Sequence, residues 1–477
     1  MKAKFTTTGS WSIGNSRSDY RGDLYLNQSE GGIVLNIHIP NKKNAPMSYF
    51  KFPLDIPFIS GTTNDGAKIT LIDCSRISTK SIIGSEEIYV YQAKFMLQGV
   101  NFKKEDEILF SKVKINIPGI IQWGNVSNYV SSSMESTNVL IGLEQVNAIK
   151  IYSCDEYTLS YDLSFSFPST SLMREEIILN QTPYLVIESK LSIKPLKWFV
   201  NIALKMKRII EIAMGRPLGF KTMFAESPEF FWEFGEGQKH LRPIEVTHAL
   251  TLDKSKRQYI DTTVTETDFL FNLEELSREA NFSCWQEIAL VMEPIIELYI
   301  DDLYNKELSI SRHFLNMIQA LETYHSRRIC SGSLGEYKKR VERITSDRKD
   351  DKAEAIDFLL GFSKNWNNKK QVPLRYRIAD LILADFKFFF YTGEIHRLDF
   401  PKIITYTRNY YTHYSLSLEN KALKDEDLVN AYYFLKNILE FYLLKELGFN
   451  EDFIHNRIRK RIEPIRIGIE TKATNKN

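Results

Sequence analysis

The chain has 477 residues, 43% of them hydrophobic, and a formal net charge of +2. That is apolar material for two or more cores, and too little net charge for a polycation, so a nucleic-acid partner must be met by a local patch. Cys74, Cys154, Cys284 and Cys330 stand far apart, without a CxxC pair or a Cys/His cluster at zinc spacing, so neither a disulfide framework nor a structural metal is expected.

The opening MKAKFTTTGSWS has no apolar core of signal-peptide length. Nowhere does a run reach the ~18–20 apolar residues of a membrane span. The expected location is therefore the reducing cytoplasm. Residues 1–190 read as strands. In YTLSYDLSFSF, Tyr157, Leu159, Tyr161, Leu163, Phe165 and Phe167 are apolar and alternate with polar residues, which is the period of a half-buried strand. GIVLNIHIP (32–40) and KVKINIP (112–118) alternate likewise, and SEGG and TTNDG supply turns. An antiparallel sandwich-like domain is expected.

The period then changes. PLKWFVNIALKMKRIIEIAMG is helical in spacing, opening at Pro195 and closing at Gly215. Residues 191–275 form a mixed α/β middle region, with short strands expected over 216–265. It can also belong to the N-terminal domain. Residues 276–477 read as a helical bundle: SRHFLNMIQALETYHSRR, KAEAIDFLLGFSKNW, LRYRIADLILADFKFFFYTG, FPKIITYTRNYYTHYS and DEDLVNAYYFLKNILEFYLLKELG. The expected fold class is α+β.

The fourth helix carries the most informative chemistry. Asn409 and His413 are four apart and share a face, and Arg408 lies about 100° round from Asn409. An amide, an imidazole and a guanidinium then point towards one region, with no carboxylate in TYTRNYYTHYS to neutralise them. Guanidinium forks onto phosphate oxygens, and neutral imidazole accepts a proton near neutral pH. The spacing alone is weak, since Arg followed by His four to six residues later should occur about once by chance in such a chain. RPIEVTH (242–248) fits it too, but Pro243 and β-branched residues make its context non-helical. A packed helix remains the plain alternative.

In these surroundings the chain resembles the HEPN superfamily, whose ribonucleases carry an Arg-polar-x-x-x-His motif on a bundle helix, and more specifically its ApeA-like branch of bacterial anti-phage proteins. FLNMIQALETYHSRR, RNYYTHY and the long amphipathic helix that follows carry the C-terminal likeness, from about 290 to 460. GSWSIGNSRSDYRGDLYLNQSEGGIVLNI, with Trp11 and a Gly-x-Leu turn at Gly22–Leu24, carries the N-terminal one, continued by GTTNDGAKITLIDC and LQGVNF…IIQWGN. The resemblance implies a metal-independent endoribonuclease without cofactors. His413 would move protons, Arg408 would bind the scissile phosphate, and Asn409 would orient the phosphate or the imidazole. RNA would be cut through its 2′-OH, with tRNA the leading candidate and DNA spared. It further implies a homodimer through the HEPN domain, regulation by the N-terminal domain, activation on infection with a phage-encoded activator as candidate partner, and abortive infection as output.

Several residues are secondary candidates for RNA contact or support of the site. Glu322 and His325 interrupt the apolar stripe of ALETYH, where a satisfied polar pair is the plainer expectation. Of Tyr410, Tyr411 and Tyr414, whichever faces the groove could stack on a base, Tyr411 being the named candidate, although core or dimer packing is the ordinary role. Arg457, Arg459, Lys460 and Arg461 form a basic run, ordinarily a solvated face and here a candidate for backbone contacts. No Walker loop, GxSxG elbow or HExxH motif is present. Two competing functions stay open: a catalytically silent HEPN module that binds RNA or dimerises, and a phage-protein sensor that recruits another effector.

Overall fold

The computed structural model describes residues 4–14, 19–27, 32–40, 52–82, 86–133, 139–166, 178–235, 238–248, 269–330, 333–346, 372–384 and 399–465. They form two compact units, one of residues 1–210 with 217–267, the other of 211–216 with 268–477.

In the first unit every strand pairing among the described residues is antiparallel. Strands β1 (Lys4–Ile13), β2 (Asp19–Asn27), β3 (Gly32–Pro40), β4 (Asp55–Thr63), β5 (Lys68–Ile82) and β6 (Glu86–Gln98) close into a barrel in the order β1-β2-β3-β6-β5-β4. Closure removes the exposed edges that an open sheet would offer to other chains. The alternating residues point inward: Ile33, Leu35, Ile37 and Ile39 of β3 are buried, as are Leu24 and Leu26 of β2. The antiparallel β-rich fold expected from the period is present, and it takes the form of this barrel extended by an open sheet.

Trp11 fills the barrel. Its indole is fully buried and donates to the Gly22 carbonyl at 3.1 Å. The Gly22–Leu24 segment, expected as a turn, lies in mid-strand and pairs with β1 and β3. Its glycine serves packing: a Cβ there would sit 2.7 Å from Trp11 Cδ1, and one at Gly61 would sit 2.3 Å from Trp11 Cε3. Gly61→Ala should therefore lower the unfolding free energy by ~1–3 kcal/mol, as overpacking does. Gly235→Ala, where a Cβ meets nothing within 4 Å, should not. Urea titrations of the two variants check this.

The sheet continues through β7 (Lys112–Asn116), with a separate hairpin of β8 (Tyr129–Ser133) and β9 (Val139–Leu143). Strands β10 (Ile149–Ser153), β11 (Tyr157–Ser166), β12 (Asn180–Ser189), β13 (Thr222–Phe234) and β14 (Gln238–His248) give the order β10-β11-β12-β7-β13-β14, and β14 joins β6. The last two strands are long, 13 and 11 residues, where short ones were expected. Short helix α1 (Ile120–Gly124) precedes the 19-residue α2 (Leu196–Met214). Helix α2 begins after Pro195 and stops at Gly215, whose φ of 63° is the left-handed exit that glycine accepts. Its Phe199, Ala203, Met206 and Ile210 form one buried stripe, and Trp198 meets Tyr157 of β11 edge-on at 5.5 Å.

The second unit is helical: α3 (Leu273–Glu279), α4 (Trp285–Val291), α5 (Glu293–Tyr304), α6 (Ile310–Tyr324), α7 (Leu334–Ser346), α8 (Leu374–Ala384), α9 (Asp399–His413), α10 (Asp425–Glu446) and α11 (Glu451–Ile462). The helix expected over KAEAIDFLLGFSKNW lies outside the described residues, as does the stretch after Ala384 in the next one. Helix α10, expected to be amphipathic, is buried without interruption from Asn437 to Leu444. It is the central rod of the bundle, and a rod surrounded by helices is apolar all round. Tyr442 meets Tyr324 of α6 at 4.7 Å and donates to the Leu381 carbonyl of α8 at 2.6 Å, and Phe434 meets Phe400 of α9 at 5.1 Å. Among the described residues no helix is long and apolar enough to cross a membrane, and no group of three or more His, Cys, Asp or Glu could hold a metal ion.

Candidate active site on helix α9

Helix α9 carries Arg408, Asn409 and His413 in its last two turns. Thr407 fixes that end of the helix. Its buried hydroxyl donates to the Ile403 carbonyl at 2.9 Å and accepts from the Leu423 amide at 2.9 Å. Tyr411 adds a second brace, its phenol donating to the Leu423 carbonyl at 3.2 Å. Burial raises the Tyr411 pKa above the usual phenol value, which keeps it a donor. The segment after the helix is thus tied back onto it at one backbone position.

His413 is the last helical residue and is exposed, while Arg408 and Asn409 are half-buried. Arg408 Nη1 donates to Asn409 Oδ1 at 3.2 Å, so the guanidinium is steered by the amide beside it and keeps further donors for an anion. Tyr410, Tyr411 and Tyr414 form a mutual edge-to-face cluster with centroids 5.0–6.4 Å apart. Of the three, Tyr411 is the brace and Tyr414 the exposed ring.

His325 and Glu322 occupy a different environment. His325 is fully buried in a π-helical turn, His325–Ile329, where one continuous helix was expected. Its Nε2 lies 2.8 Å from Asp380 Oδ2 on α8, and Asp380 also accepts from Arg340 Nε of α7 at 2.9 and 3.0 Å. Glu322 lies 3.9 Å from Arg377, which donates to the Val372 carbonyl at 2.8 Å and to the Ser326 hydroxyl. These contacts join the turn after α6 to α7 and α8, and a fully buried imidazole offers nothing to a polynucleotide at the surface. The participation of Arg340, Arg377 and Asp380 was not inferred from sequence. Its one signal was the pair of charges three apart, Arg377 and Asp380, inside the apolar run of α8.

The basic run on α11 divides by position. Arg461 Nε lies 3.1 Å from Glu440 Oε2 on the central helix, and Glu440, almost fully buried, also accepts from Tyr299 at 2.7 Å. A similar knot joins Asp302 of α5 to His313 at 2.5 Å and Tyr432 at 2.6 Å. Arg457 binds Glu275 and donates to the Phe269 carbonyl at 2.8 Å. Arg459 and Lys460 are exposed. A shallow cavity of about 590 Å³ is lined by Arg278, Arg457 and Lys460 and by Glu275, Glu279, Glu451 and Asp452, a mixed wall with no net pull on a polyanion.

The second Arg-His spacing, at 242–248, lies in β14. Arg242 donates to the Gly99 carbonyl at 2.9 Å, and His248 packs on Phe95 at 4.5 Å. Burial, with the Lys94 charge adding to it, lowers the His248 pKa from 6.5 to about 4. A histidine depressed in the folded state binds its proton more readily when unfolded. Stability contributed by the neutral ring is therefore present above pH 6.5 and is lost as pH falls towards 4. His248→Gln should flatten that part of the stability–pH profile, measured by chemical unfolding across the range.

Two family models match the chain: the ApeA N-terminal domain 1 over residues 6–285, more than half of the chain, and the Apea-like HEPN domain over residues 315–453. No curated protein and no solved structure matches it. The HEPN match includes α9 with Arg408, Asn409 and His413 as well as the central helix α10. With a β-rich first unit followed by an HEPN helical unit, the chain belongs to the ApeA-like family of anti-phage HEPN-type effectors.

Proposed function

We propose that this protein is an endoribonuclease whose site is the end of α9. The observation that carries the reading is an exposed imidazole, His413, one turn beyond Asn409, whose amide oxygen accepts from Arg408, within an HEPN-matched unit. The ribose 2′-oxygen attacks the neighbouring phosphorus and the P–O5′ bond breaks. The 2′-OH proton passes to one His413, and the departing 5′-oxygen takes a proton from a second. Arg408 binds the scissile phosphate and offsets the negative charge that grows on it, while Asn409 orients the guanidinium. The products are a 2′,3′-cyclic phosphate and a 5′-OH, and no metal ion takes part.

HEPN domains generally act as ribonucleases and dimerise. A two-fold pairing of α9 helices supplies the second histidine, which one helix lacks. We assign the first unit the sensing and regulatory role, with activation during infection through a phage-made factor. The substrate class is RNA, tRNA first among candidates, met in the cytoplasm.

A synthetic RNA cut by the protein, remade with a single 2′-deoxynucleotide at the cleavage position, tests the reaction class. The reading expects cutting at that bond to stop, because the nucleophile is gone. Persistent cutting at the same bond would require water as nucleophile and would overturn it.

A further inference from the structure

Tyr414 directly follows His413 and has φ of 50°. Left-handed backbone is where a helix exits, and glycine or asparagine normally takes that place because a Cβ is strained there. Here the position closes the helix, its amide donating to the Tyr410 carbonyl at 2.6 Å, yet a tyrosine occupies it. The strain is held by packing, since the ring lies edge-on to Tyr410 at 5.8 Å and to Tyr411 at 6.4 Å. Even so, 66% of the residue faces solvent. A ring bound for the core would be covered, and a residue needed only for the turn would be glycine. Strain retained at such a position is found where the side chain has work to do.

We propose that Tyr414 is a positioning residue, its ring the platform on which a base flanking the scissile phosphate stacks. This rests on the ribonuclease reading above. Tyr411, the tyrosine first expected to contact RNA, is half-buried and bonded to Leu423 through its hydroxyl, so its ring is committed to the fold. The surrounding charge is mixed. Lys421 and Lys424 stand 5.7 and 5.8 Å from the rings of Tyr406 and Tyr410, but Glu419 pairs with Lys424 at 3.3 Å, and Asp425 and Glu426 are exposed beside them. Among the described residues these charges offset one another, so stacking, which tolerates any base, is the attraction this surface offers.

The test uses the full chain. Binding of a short fluorescein-labelled single-stranded RNA is measured by anisotropy for His413→Ala, and for His413→Ala combined with Tyr414→Gly or Tyr414→Phe. Cleavage by wild type, His413→Ala, Tyr414→Gly and Tyr414→Phe, each with lysate from phage-infected cells, gives KM and kcat separately, and light scattering gives the mass of each. The inference expects Tyr414→Gly to weaken binding and raise KM roughly 5- to 100-fold, the range of one lost stack, with kcat little changed. Its thermal midpoint should equal or exceed that of wild type, because glycine relieves the left-handed backbone. Tyr414→Phe, which keeps the ring, recovers the affinity. Unchanged affinity and KM in Tyr414→Gly, or no RNA binding by His413→Ala, would overturn it. A lowered mass for Tyr414→Gly would also do so, by making the patch an interface between copies. Wild-type cleavage by His413→Ala would instead defeat the ribonuclease reading, which the binding arm does not use.

Discussion

Alanine at His413 should reduce RNA cleavage by ~10²–10⁴-fold in kcat, the contribution of a positioned acid or base. The unfolding midpoint should stay where it is, because the imidazole is exposed and its last-turn position leaves the braces at Thr407 and Tyr411 untouched. Arg408→Ala should cost ~10²–10³-fold, as loss of a charge-stabilising donor does. Arg408→Lys should recover little of that, because a point charge cannot fork onto two phosphate oxygens. Asn409→Ala should fall between wild type and Arg408→Ala, since it removes the acceptor 3.2 Å from the guanidinium but leaves the charge. Initial rates for the four variants, together with their melting curves, separate lost chemistry from lost structure.

The largest stability effect is expected at Asp380. Its carboxylate is fully buried between His325 and Arg340, two groups from different helical segments. Removing it by Asp380→Ala takes the shared acceptor from both His325 and Arg340, and breaking a buried pair in this way costs ~3–5 kcal/mol. His325→Ala should cost less, because Arg340 keeps its partner. The double variant should fall short of the sum, since both substitutions damage one network. Urea unfolding of the single and double variants measures the coupling, and strict additivity would show that the three side chains do not act as a unit.

These contrasts also show what the chain makes legible. Alternation in β3 and β11 betrays the buried faces because one side of each strand meets water. Helix α2 is bounded by Pro195 and Gly215, whose backbone limits are local. That Arg408, Asn409 and His413 share one helix is legible for the same reason, since spacing along a helix is a local property. Barrel closure is not, because the pairing of β5 with β6 and of β1 with β4 depends on which strands meet, and period two says nothing of that. The role of His325 is hidden likewise. Its partner Asp380 lies 55 residues away, so a satisfied polar residue could be expected at ALETYH while its partner and the π-helical turn could not. Tyr414 is hidden by its backbone: nothing in RNYYTHYS marks which tyrosine leaves the helix through a left-handed conformation.

The most direct measurement is end-group analysis of tRNA incubated in EDTA with the purified protein, wild type against His413→Ala, with and without lysate from phage-infected cells. The account predicts fragments ending in 2′,3′-cyclic phosphate and 5′-OH from wild type, and intact tRNA from the variant. Equal cutting by both proteins, or fragments carrying 3′-OH and 5′-phosphate, would contradict it.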